Sequence, residues 1–275
     1  MRLVTRARDL GSALKRRPRL LTALELLAAA VVLGLCAYSV KDEWSKAGPQ
    51  LEDARIADIG FALAAVAGYY LVFILGWVRI LAAWGIHVPY RAALQAEMAS
   101  MLAKYVPGGV WTPAARVAAL SRLTGETATG TVLASILLEA VLSAIAGVVV
   151  FVVSLAWVHD VDAPLAPLLL FVVLCVAILH PRVFRPTVGR LLRPFGLVSL
   201  EPLPLPTMAS LLGFYCFTWL LGGTGLYFLI RAIASVPSLE TIPFLGGTAA
   251  IGAIVAVLAV FAPSGLGIRE ASMYA

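Results

Sequence analysis

Apolar runs alternate with short polar segments along most of the 275 residues. A helix needs about 20 apolar residues to cover the hydrocarbon core of a bilayer. Runs of that kind occupy 20–40, 59–78, 131–158 and 208–230, and a shorter one occupies 164–179. Two segments depart from the pattern. Residues 92–121 are only moderately apolar and carry a helix-breaking turn in "KYVPGGVWTPAAR". Residues 243–275 are apolar but break at "FAPSGLGIREA". The expected fold is therefore an all-α, polytopic integral membrane bundle. A basic segment, 1–19, precedes a single transmembrane domain, 20–275.

Charge orients the spans. Seven Lys or Arg and one Asp precede the first run, which points to an uncleaved anchor with a cytoplasmic N-terminus. The loop "KDEWSKAGPQLEDARIAD" has three cations and five acids and suits the outer side. The span 59–78 then returns inward and 131–158 goes outward, to the acidic "HDVDAP". The short run 164–179 leads back to "HPRVFRPTVGRLLRPF", with four Arg and no acid, read as a cytoplasmic loop. The span 208–230 crosses outward again, opposite in direction to 59–78. Arg91 and Arg122 flank the broken segment 92–121, and one crossing would put one of them on the wrong side. A re-entrant hairpin satisfies both, and broken backbone at that depth needs protein or a watery cavity around it. The expected location is the inner or plasma membrane.

Composition narrows the function. The chain is 61% hydrophobic and 13% charged, against about 45–50% and about 25% in soluble domains. The net charge of +6 sits in loops between spans, which fits topology and anionic lipid rather than nucleic acid. Cys36, Cys175 and Cys216 lie in apolar runs without metal-ligand spacing, and His87, His159 and His180 are scattered. No phosphate-binding Walker loop, zinc-protease helix or Asp-rich cluster occurs, and no cofactor is called for. No hydrophilic stretch is long enough for an independent catalytic domain, so the chain is not expected to be an enzyme.

The two broken segments resemble each other. Each has an aromatic residue two positions before Pro, then a small residue and Gly, then a downstream Arg: Tyr105, Pro107 and Arg116, and Phe261, Pro263 and Arg269. Each follows a span, and those spans run in opposite directions. That is the pattern of an inverted repeat with paired broken helices. A helix interrupted by Pro and Gly exposes unpaired amides at the start of its second half, and these attract anions. The expected headgroup site comprises Lys104, Pro107, Gly108, Gly109, Trp111, Arg116, Glu139, Pro263, Gly265, Gly267, Arg269 and Glu270. Gly lets a ligand approach the backbone, so Gly109 should resist added bulk more than Gly147, inside the long span. The plainer alternative is that Pro-Gly-Gly turns a loop and the cations snorkel to the interface.

Three residues admit two readings each. Glu139, about two turns inside the span 131–158, is either a functional residue paired with Arg or Lys or a member of a structural ion pair between helices. Arg79 follows Trp77 and reads as a span-end anchor. Trp111 lines a headgroup pocket or joins the interfacial aromatic belt.

The segments "KYVPGGVWTPAARVAALSRLTG", "LLEAVLS" and "APSGLGIREA" resemble the lysylphosphatidylglycerol synthase transmembrane family, the flippase-like domain proteins. The resemblance runs from about residue 59 onward. It implies a polytopic bundle with broken helices. The family includes the lipid-translocating half of aminoacyl-phosphatidylglycerol synthases and stand-alone members linked to glycolipid or envelope assembly. It places Lys104, Pro107, Gly108, Gly109, Arg116, Glu139, Gly265, Gly267, Arg269 and Glu270 at motif positions. The family's soluble aminoacyl-transfer domain has no counterpart here. A further helix is expected after the second motif, so the chain reads as a fragment, a truncated product or one half of an assembly. The expected role is binding an anionic phospholipid or polyprenyl-phosphate glycolipid and moving it across the bilayer. Two alternatives stand beside it: a membrane subunit of a lipid-modifying synthase with a separate catalytic chain, and a non-transporting scaffold for envelope assembly. The expected partners are an anionic lipid, an envelope-assembly enzyme or a second copy of the chain, not nucleic acid.

Overall fold

The computed structural model describes residues 53–101, 103, 111–158, 165–196, 200–234 and 238–258. The chain divides between Asp53 and Ala54, and every described helix lies in the second unit. The first expected span, 20–40, lies outside the described residues.

Helix α1, Ile56–Ala83, is longer at both ends than the expected 59–78. It stops where Gly85 takes a φ of +78°, which only Gly adopts readily. The Gly85 amide then donates to the Ala82 carbonyl at 3.0 Å and the Ile86 amide to the Leu81 carbonyl at 2.9 Å. This paired closure satisfies the last carbonyls of the helix. Arg79 is consequently about a turn inside α1 rather than at a span end, with its guanidinium 4.9 Å from the Phe214 ring centroid.

Helices α2, Tyr90–Met101, and α3, Trp111–Thr124, occupy the first broken segment. They have 12 and 14 residues, or about 18 and 21 Å at 1.5 Å per residue. Neither reaches across a hydrocarbon core of about 30 Å. They pack against each other, and α2 also packs on α1.

Helix α4, Thr129–Ser154, is the most enclosed of the long helices. Helix α5, Leu165–Leu179, is only about 22 Å long and falls short of the hydrocarbon core. The expected loop after it is helical instead. Helix α6, Pro181–Leu192, begins with Pro at its first position, and the His180 ring accepts from the Arg182 amide. A 3₁₀ turn, Arg193–Phe195, follows and closes at Gly196. The chain bends by 75° between Leu168–Leu179 and Arg182–Phe195. Val188 and Leu192 are buried with Ala134 and Leu200, while Val183 and Leu191 on the adjoining stripe are exposed. Arg182 and Arg190 are exposed too. One polar stripe beside one outward apolar stripe is the composition of a helix lying in the membrane interface.

Helix α7, Leu205–Ile233, and helix α8, Thr241–Leu258, complete the described set. Helices α1, α4 and α7 are long and apolar enough to cross a membrane, and α5 with α6 makes a fourth if that bent pair is one span. The chain is a multi-pass membrane protein.

Helices α1 and α7 run antiparallel, as the charge pattern requires. The Arg55 amide donates to the Ala232 carbonyl at 3.0 Å, and Arg231 pairs with Asp58. Further along, Gly68 meets Leu221 and Gly76 meets Tyr215. Small residues let backbones approach closely where lipid offers no hydrophobic drive for association. A Cβ on Gly246 of α8 would lie 2.4 Å from the Trp219 carbonyl oxygen, and one on Gly223 of α7 2.3 Å from that of Ile242. Gly147 of α4 is equally confined: its Cβ would stand 2.2 Å from that of Ala250. Gly147 is therefore a poor reference for the tolerance of Gly109, because α8 presses against α4 there.

Candidate functional site

Three of the four buried charged side chains among the described residues are gathered at one point. Glu97 of α2, Arg116 of α3 and Glu139 of α4 are each buried, at 6, 4 and 3% exposure. Arg116 lies between the two carboxylates. Its Nη1 donates to Glu139 Oε2 at 2.5 Å and its Nη2 to Oε1 at 3.4 Å. Its Nε is 2.9 Å from Glu97 Oε2. The guanidinium lies over the Trp77 ring of α1, 3.7 Å from the centroid, a placement that ring quadrupoles favour for cations. Trp77 is fully buried and donates its indole N–H to Ser135 Oγ of α4 at 2.8 Å. Ser135 in turn donates to the Val132 carbonyl.

A fifth helix closes the site. Tyr215 of α7 is fully buried, and its hydroxyl faces Glu139. Gly76 of α1 makes room for it: a Cβ there would lie 2.5 Å from that hydroxyl oxygen. The Tyr215 ring also packs at a tilt against Phe73 of α1, with centroids 5.3 Å apart. Removing one member of such a buried ion pair leaves an uncompensated charge, at a cost of about 3–5 kcal/mol. The cluster thus fastens the short helices α2 and α3 to the three long ones.

Of the expected headgroup residues, the structure brings Arg116 and Glu139 together. Glu139 has the cationic partner anticipated for it. Arg116 is turned inward, with Nε and both Nη atoms directed at carboxylates. Trp111 opens α3 and is 51% exposed. Lys104, Pro107, Gly108, Gly109, Pro263, Gly265, Gly267, Arg269 and Glu270 lie outside the described residues.

Sequence reasoning missed Glu97, Trp77, Ser135 and Tyr215. Glu97 carried a signal, since it is an acid inside "AALQAEMASML", and the depth argument applied to Glu139 applies equally to it. Trp77, Ser135 and Tyr215 carried none, being ordinary residues for apolar spans. Among the described residues no group of His, Cys, Asp and Glu has the arrangement of a metal site.

The model of one protein family, the lysylphosphatidylglycerol synthase TM region, matches residues 23–275. No curated protein matches the chain.

Proposed function

Because the chain belongs to the family of the lysylphosphatidylglycerol synthase TM region, a membrane region associated with lipid modification or flipping, we propose that it binds an anionic lipid headgroup and moves that lipid across the bilayer. The observation that carries this reading is the family match over 23–275. The geometry supports it in one respect. Two helices too short to cross are fastened among long ones by a buried ion cluster, and the Pro-Gly-Gly break lies between them in the chain. In this reading the headgroup phosphate is held by Lys104 and Arg269 with the amides of the two Gly-rich breaks. Arg116 and Glu139 hold the frame. The second break, at Pro263, is the inverted counterpart of the first.

The test is direct. Purified protein should carry an anionic phospholipid or polyprenyl-phosphate glycolipid, identified by mass spectrometry of the co-purified lipid. In proteoliposomes it should speed transfer of a fluorescent analogue between leaflets. Protein that carries only the bulk lipid mixture and leaves transfer at the rate of empty liposomes would falsify this reading. The family's association with a synthase favours a second one, a membrane subunit working with a separately encoded transferase. Co-purification of such a chain, with no transfer activity in its absence, would select it.

A further inference from the structure

The cluster at Arg116 contains two carboxylates and one guanidinium, each more than nine-tenths buried. Fully ionised, it carries one uncompensated negative charge in the interior of a membrane protein, where such a charge is strongly disfavoured. The two carboxylates are not equivalent. Glu139 accepts hydrogen bonds from both Nη atoms of Arg116. Glu97 Oε2 approaches Nε, yet neither atom makes a hydrogen bond of good geometry. The Tyr215 hydroxyl, buried beside Glu139, also lacks a well-aligned partner. The cluster thus contains more negative charge than positive.

We propose that this cluster is a proton-binding site: one proton, taken from water onto a carboxylate oxygen, is shared by Glu97 and Glu139. Protonation turns one carboxylate into a neutral acid and makes the cluster electrically neutral with Arg116. The proton belongs to the pair, since both carboxylates face the one guanidinium. The charged and titratable groups facing the pair among the described residues are Arg116 from α3 and Tyr215 from α7, with Tyr69 of α1 next to Tyr215. The proton sits on the fastening between α2–α3 and the long helices, so its release would loosen that fastening. Coupling of this step to lipid movement rests on the function proposed above; the proton site does not.

Infrared spectroscopy of the purified full chain in nanodiscs tests it. At neutral pH exposed glutamates are ionised, and the parent should retain one carboxylic-acid C=O band that shifts on carbon-13 labelling of glutamate and disappears at high pH. Glu97→Gln and Glu139→Gln should each abolish the band, because the remaining carboxylate then pairs with Arg116 as an anion. The Glu97→Gln variant should melt near the parent temperature, since the amide stands in for the protonated acid. If one variant does not fold, the other decides. Absence of the band from the parent, or its survival in a folded single variant, overturns the proposal. So does a melting temperature raised by sodium at constant ionic strength without any acid band, which would make the site one for a metal cation. The spectrum uses no lipid assay: loss of lipid transfer with the band intact counts against the proposed function alone, and the reverse against the proton site alone.

Discussion

Arg116 is where the chemistry of single residues is densest. Its fork serves Glu139, its Nε serves Glu97 and its face rests on Trp77. Replacing Arg116 by Gln leaves two carboxylates facing each other, whereas replacing Glu139 leaves Arg116 still paired with Glu97. Arg116→Gln should therefore destabilise by about 3–5 kcal/mol, and Glu139→Gln by clearly less. Melting curves in one detergent check the order, and equal losses would contradict the shared-arginine geometry. Arg269 belongs to the same scale but to the proposed headgroup site. Arg binds phosphate through a planar fork and Lys as a point charge, so Arg269→Lys should keep part of the binding of a fluorescent anionic lipid. Arg269→Gln should lose about ten- to a hundredfold, corresponding to a charged hydrogen bond of roughly 1.5–3 kcal/mol. If Arg269→Gln binds like the parent and only melts lower, Arg269 is a structural ion-pair member.

Between helices, small residues set the distances. Gly223 and Gly246 bring α7 and α8 together closely enough that a methyl on either would meet backbone, which cannot swing aside. Gly223→Ala or Gly246→Ala should each destabilise by about 1–3 kcal/mol, as overpacking does. Gly213→Ala in α7, with nothing within 4 Å of its Cβ, should change the melting temperature little or raise it. The same contrast supplies the proper reference for the Pro-Gly-Gly break. Gly109→Val should reduce lipid binding more than Gly213→Val, a comparison that Gly147 cannot provide because Ala250 fills the space beside it.

At the level of the whole molecule, the placement of α2 and α3 decides the topology. Glu97 and Arg116 meet, and Arg91 and Arg122 lie six residues from them along the two helices, both exposed. In a hairpin both arginines emerge at the same end. Cysteines at 91 and 122, in a chain lacking Cys36, Cys175 and Cys216, should react with a membrane-impermeant thiol reagent from the same side. Labelling from opposite faces would replace the hairpin with a crossing.

Three long spans and the opposed directions of α1 and α7 were legible in the residues alone. Hydropathy and loop charge are sums over neighbouring positions, and a bilayer responds to those sums. The need of Glu139 for a cation was legible for the same reason, since a carboxylate deep in an apolar run is costly wherever it points. Its partner was not. On paper any Arg or Lys could fill that place, and Arg116 meets Glu139 because of how α3 and α4 are rotated and placed against α1. Glu97 joined the cluster through the register of α2 on α3, which is invisible to hydropathy. The helical form of 181–192 and the confinement of Gly147 have the same origin: each depends on what packs alongside, and residues distant in the chain supply that surface.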